Sequence, residues 1–167
     1  MKKQTLFLVV IFSVLFVSCK DKNVETTPKQ TDFHYDGTNM TMKMTNGDGT
    51  DGTLKVRLNG WTLEDFKKTS YFAAYREVYH GVSAERCIYG TIQTAQIEIE
   101  DMLNYPATLK FNEGLDGYVT ADQEKDVFYI RFSFICSNGY GTPTKHTAII
   151  SQKEGGINAR DIEVFIY

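Results

Sequence analysis

Apolar and polar side chains alternate through most of this chain. Met40, Met42 and Met44 are separated by Thr41 and Lys43, and Leu54, Val56 and Leu58 by Lys55 and Arg57. In the longest run Phe128, Ile130, Phe132, Phe134 and Cys136 share one parity, while Val127, Tyr129, Arg131 and Ser133 share the other. Ile162, Val164 and Ile166 repeat the pattern near the C-terminus. Successive strand side chains point to opposite faces, so a period of two marks strands with one buried face. Residues that favour turns separate the runs: Asn46-Gly47-Asp48-Gly49, Asn59-Gly60, Glu113-Gly114, Asp116-Gly117, Asn138-Gly139 and Gly155-Gly156. The pattern predicts a mainly β domain over residues 32–167, an antiparallel β-sandwich or open barrel with one short helix.

That helix is expected to start at Thr62. Asp65 stands three residues later, close to a capping box, and Leu63 and Phe66 would share a face. Tyr71, Tyr75 and Tyr79 fit a helical spacing of four, but residues 71, 73 and 75 also alternate. Because its neighbours are strands, this segment is expected to be a strand as well. Gln96-Ile97-Glu98-Ile99-Glu100 alternates too and reads as a solvated strand face, with Asp101 beside it.

The N-terminus follows a different pattern. Lys2 and Lys3 precede an apolar run from Leu6 to Val17 broken only by Ser13, and Ser18-Cys19 follows. A charged start, a short apolar run and a small residue before the cut are the anatomy of an export signal. The run is shorter than the roughly 20 residues a membrane span needs, and Lys20-Asp21-Lys22 ends it. From Lys20 to Thr31 the chain is polar and offers Val24 alone as a sizeable aliphatic, too little to offset the entropy of ordering. Residues 19–31 are therefore expected to be a flexible tether.

Phe16-Val17-Ser18-Cys19 resembles the lipobox of bacterial lipoproteins, with Phe16 where the pattern usually has Leu. The resemblance implies that residues 1–18 are removed and that Cys19 carries the lipid. As a whole the chain is similar to small lipoproteins of Bacteroidetes-type bacteria. That implies a lipid-anchored place in the cell envelope, expected at the outer membrane on its periplasmic or surface face. Several acyl chains would anchor stably where a single one would not.

Charge narrows the partners. The whole chain carries a formal net charge of −3, and removing Lys2 and Lys3 makes it more acidic. No footprint for nucleic acid is present, nor a basic cluster for anionic headgroups. Membrane attachment is then expected through the N-terminal lipid alone.

The remaining residues offer few candidates for chemistry. Asn46, Asp48 and Asp51 lie in a glycine-rich loop and supply the oxygen donors that calcium prefers. The same residues also suit a hairpin tip, and the spacing is not that of an EF-hand. Cys87 and Cys136 remain as a pair once Cys19 is acylated, which invites a disulfide in an exported protein. Cys136 equally suits a small buried apolar group. The three histidines, His34, His80 and His146, have no metal-ligand spacing. No nucleotide, zinc-protease or serine-hydrolase motif occurs, and no cofactor is expected.

Ten Tyr and eleven Phe, with Trp61, could stock a ligand platform or fill the rim of a sandwich. Trp61 and Tyr140, both beside glycine-containing turns, are the expected exposed members. The functional expectation is a non-enzymatic binding or assembly module that engages a carbohydrate or an envelope protein. The alternative is a small envelope hydrolase using His80 or His146.

Overall fold

The computed structural model describes residues 32–111, 116–122, 127–152 and 162–167. The chain is mainly β, as the alternation implies, and its sheet is not a closed barrel. Strands β1 (Phe33–Tyr35), β2 (Asn39–Thr45) and β3 (Asp51–Leu58) form an antiparallel meander. Helices α1 (Leu63–Phe66), α2 (Ser70–Val78) and α3 (Ala84–Met102) follow, then a 3₁₀ turn over Pro106–Thr108. Strands β4 (Asp116–Asp122), β5 (Val127–Ser137), β6 (Pro143–Gln152) and β7 (Ile162–Ile166) complete the chain. All seven strands lie in one sheet in sequence order. The pairing of β3 with β4 is parallel and the others are antiparallel. A parallel neighbour needs a long crossover, and the helices supply it.

The layer facing the sheet is thus helical, with three helices where one short one was expected. The capping box at Thr62 and Asp65 forms as anticipated. The strand expectation for Tyr71–Tyr79 is overturned. Thr69 caps α2 by accepting a hydrogen bond from the Phe72 N–H, and Tyr71 and Phe72 turn inward from one face. Gln96–Glu100 belongs to α3, not to a strand. Ser83 caps α3, and Ala84, Cys87, Ile88, Thr91, Ile92, Ala95 and Ile99 recur at helical spacing on its buried side. Isoleucine and glycine are poor helix formers, each costing up to about 1 kcal/mol against alanine. Fully burying one isoleucine contributes roughly 1.5–3 kcal/mol, so packing decides the outcome.

The sheet rolls around α3. Tyr89 and Gln96 reach the carbonyls of Lys43 and Thr45, so α3 runs along the β2 edge. It also packs against β1, β6 and β7. A flat sheet of seven strands would hold its edges roughly 29 Å apart. Contact of both edge strands with one helix therefore requires the sheet to curl. α3 occupies the gap between the edges and satisfies part of the exposed ladder of β2. The inner face carries the core: Met40, Met42, Met44, Leu54, Val56, Phe128, Ile130, Phe132, Phe134, Ala148 and Ile150 are all buried. Tyr71 packs against Phe128, with tilted rings whose centroids are 4.2 Å apart, and shares a hydrogen bond with Thr91, tying α2 to the sheet and to α3.

Asp116-Gly117 is not a turn. Gly117 lies inside β4, where a Cβ would come within 2.7 Å of both the Arg131 carbonyl and Val56. Glu113-Gly114 and Gly155-Gly156 fall outside the described residues.

Ile92 is fully buried between α3 and the sheet. Ile92→Ala is expected to destabilise the fold by about 2–5 kcal/mol, measured by chemical denaturation. A change within the range of a surface substitution would contradict the placement of α3.

Candidate binding face

The candidate calcium loop is a hairpin tip locked to the rest of the sheet. Asn46 is buried, and its amide donates to the Thr50 hydroxyl at 3.0 Å and the Asp51 carbonyl at 3.1 Å. Its Oδ1 accepts from the Phe111 N–H at 2.8 Å. The Gly47 N–H donates to the Leu109 carbonyl, and a Cβ on Gly47 would overlap the Pro106 carbonyl. On the other side of the same segment, Lys110 exchanges backbone hydrogen bonds with Ile135 of β5. Residues 109–111 are thereby wedged between the β2–β3 tip and the far half of β5.

Asp48 accepts from Thr50 and pairs with the Lys110 ammonium, contacts that hold its carboxyl well below the usual range. The Asn46 amide and the Asp48 carboxylate are thus occupied in bracing the tip, and Asp51 contributes its backbone carbonyl to it, which speaks against the calcium expectation. Among the described residues no three acidic, histidine or cysteine side chains are placed to hold a metal ion.

The disulfide is not formed either. Cys87 and Cys136 are both free and buried. Cys87 lies on α3 beside Thr91, near the Phe128 end of β5, and Cys136 stands roughly 27 Å further along that strand. A bridge requires the two Cα atoms within about 7 Å. Burial pushes the Cys87 thiol well up, the opposite of what a cysteine nucleophile needs. His146 stacks on Phe134 on the inner face, His80 is exposed between α2 and α3, and His34 is exposed on β1. The structure does not bring His80, His146 and Cys87 together.

Trp61 and Tyr140 do not share a surface. Trp61 follows β3 and packs, half-buried, against the core rim. Tyr140 is 95% exposed at the β5–β6 tip, where Asn138 Oδ1 accepts from the N–H groups of Tyr140 and Thr142. The tips stand at opposite ends of the sheet, more than about 20 Å apart along β5.

The surface that does gather rings and charge is the outer face of the sheet. Register places Asn39, Arg57, Tyr118, Arg131, Ile149 and Phe165 side by side across β2 to β7. This row spans about 24 Å at roughly 4.8 Å per strand. The Arg131 guanidinium sits 5.8 Å from the Tyr118 ring centroid, a cation–π contact. A parallel row holds Thr120, Tyr129, Ser151 and Glu163. Phe165 is 45% exposed and Tyr167 72%.

Acidic residues outnumber basic ones on the helices. Glu64, Asp65, Glu77, Glu85, Glu98, Glu100 and Asp101 all lie on helices. Lys67 and Lys68 are neutralised locally by Glu64 and Asp65. On the outer face Lys43, Lys55, Arg131 and Lys145 have no salt-bridge partner among the described residues. Arg57 shares this face with Asp51, Asp116, Asp122 and Glu163, and Asp116 stands opposite Lys55 in register, so the face mixes both signs. The outer-face residues are scattered through the sequence, and their one visible signal was the polar parity of the strands.

No protein-family model matches the chain, and no curated protein or solved structure matches it at a significant level. Among the described residues no helix is long and apolar enough to cross a membrane.

Two outcomes are expected. Asn46→Ala leaves the buried Phe111 N–H without its acceptor and lowers stability by about 1–3 kcal/mol in denaturant titration, while millimolar calcium leaves the melting temperature of the unaltered protein unchanged. Acid unfolding follows the carboxylates. Backbone N–H groups of Asn39 and Thr38 hold Asp36 at about 2, and Lys68 with Thr62 holds Asp65 at about 2, both below the ordinary 3.8. Their folded-state pKa is depressed, so their contribution is complete above about pH 4 and is lost as pH falls through 2. A melting temperature measured across this range should fall most steeply there.

Proposed function

We propose that the protein is a lipid-anchored envelope lipoprotein that acts as a non-enzymatic binding module. In this reading residues 1–18 direct export, Cys19 carries the lipid, and residues 19–31 hold the domain off the membrane. These residues lie outside the described part of the structure, so the support is the sequence: Lys2 and Lys3, the apolar run, and Ser18-Cys19. The observation that carries the binding role is the outer sheet face. It presents two arginines and the rings of Tyr118 and Phe165 in one continuous row, on the side away from the helices. A domain whose concave side is filled by its own helix has that broad outer surface left for a partner.

Cys19→Ala should move the protein from the membrane pellet to the soluble fraction and abolish incorporation of labelled fatty acid. Continued membrane association of the variant would count against the anchor.

A further inference from the structure

We infer that one end of the domain, carrying Met102, Tyr105 and Tyr140, rests on the headgroup layer of the bilayer to which the chain is anchored. The inference rests on the lipid-anchor reading and adds how the anchored domain is oriented. Strand order and register define this end. The β2–β3 tip lies there, where β2 finishes at Thr45 and β3 begins at Asp51. The β5–β6 tip lies there too, because Lys110 pairs with Ile135 near the end of β5 while Leu109 accepts from Gly47 of the other tip. β1 starts toward the same end. The Asp32 carbonyl accepts from the Lys43 N–H, and β1 runs antiparallel to β2, away from the tips.

Three exposed side chains gather at this end. Tyr89 and Gln96 meet the Lys43 and Thr45 carbonyls in turn, so α3 runs toward the tips. Met102 comes six residues after Gln96, about 9 Å further along the helix, and stands past the last residue of β2. The turn that follows is pressed against both tips. The Pro106 carbonyl fills the space a Gly47 Cβ would need, and the Thr108 hydroxyl accepts from the Ser137 N–H. Tyr105 leads into that turn, and Tyr140 sits in the loop just after Ser137. A tyrosine ring is apolar and its hydroxyl is wet, a combination that suits the headgroup layer. Charge limits the depth of contact. Asp51, Asp101 and Lys145 are exposed at this end, and Asp48 is paired with Lys110. Charges resist burial in hydrocarbon, so the contact stays at headgroup level.

The tether selects the occupant. In the anchored reading 13 residues, Cys19 to Thr31, join the lipid to Asp32. A flexible chain of that length spans about 20 Å root-mean-square and about 45 Å when fully extended. The tip end is thereby held close to the bilayer, and at such an effective concentration weak contacts suffice to orient the domain. Membrane affinity scales with the apolar area buried, and three side chains bury too little to hold the protein without the lipid. The contact therefore orients and does not anchor, and Cys19→Ala still releases the protein. Strands that stand on their tips leave the outer sheet face open to a partner.

The test uses the sole tryptophan, Trp61 at the opposite end of the sheet, as a reference. Full-length lipidated protein is reconstituted into phosphatidylcholine vesicles with brominated acyl chains, which quench tryptophan emission at close range. In Trp61→Phe with Tyr140→Trp, the emission is expected to shift to shorter wavelength and to be quenched relative to vesicles without bromine. Trp61 in the unaltered protein should be quenched little, and so should the reporter in Trp61→Phe with Phe165→Trp, on the outer face. Met102→Ser with Tyr105→Ser should lessen the quenching of the Tyr140→Trp reporter. Melting temperatures establish that each variant is folded. If loss of Trp61 prevents folding, the reporters are read with Trp61 retained, as differences from the unaltered protein. The inference is overturned if the Tyr140→Trp reporter is quenched no more than Trp61 or the Phe165→Trp reporter, or if the serine changes leave its quenching unaltered. Flotation of the vesicles separates the two readings. If the unaltered protein does not float with them, the anchor fails and the orientation with it. If it floats and the Tyr140→Trp reporter is not quenched, the anchor stands and the orientation alone fails.

Discussion

Burial of the apolar side of α3 inside the curled sheet is the constraint on which the rest depends. The inner residues of β2, β3, β5 and β6 form a continuous apolar surface, and α3 is long enough to cover it. The β3–β4 pair is parallel, and the crossover it needs is the segment that delivers α3. Rolling the sheet then brings β1 and β7 to opposite sides of the same helix. The part of β2 that runs past β1, from Lys43 to Thr45, would otherwise present an open ladder and is partly covered by the Tyr89 and Gln96 contacts.

The wedge at Leu109–Phe111 solves a second problem created by this arrangement. β4 pairs with β5 only from Tyr118 to Asp122, leaving the far half of β5 without it. Lys110 takes up part of that edge, and the buried Asn46 side chain fastens the β2–β3 tip to the same segment. A loop rich in Asn, Asp and Gly thus serves packing. The Asn46 amide is spent on Thr50 and on backbone atoms, and the Asp48 carboxylate on Thr50 and Lys110, so two of the three side chains that look suited to a cation are already engaged.

Much of the fold was legible because it is local. The inward parity of Met40–Met44, Leu54–Leu58 and Phe128–Cys136 follows from strand geometry, and the Thr62–Asp65 cap follows from the reach of two short side chains. Tyr71–Tyr79 and Gln96–Glu100 were misread because short apolar patterns fit both periods. The longer pattern from Ala84 to Ile99, with Ser83 as its cap, carried the helical signal that five residues could not. The candidate site was less legible. Trp61 and Tyr140 look alike in sequence, each beside a glycine turn, yet one lies against the core and the other in solvent. Cys87 and Cys136 look like a pair and lie on distant parts of the core.

The sequence by itself determined which side chains face inward on β2, β3 and β5 and where the chain turns at Asn46–Gly49, Asn59-Gly60 and Asn138-Gly139, and it carries at its start the residues on which the proposed lipid anchor rests. Each of these depends on neighbours a few residues apart. Only the tertiary structure decided that a helix, not a second sheet, covers the inner face, and that Arg57, Tyr118 and Arg131 stand in one row. Those outcomes depend on strand order and register, which arise when residues far apart in the chain compete to bury the same surface.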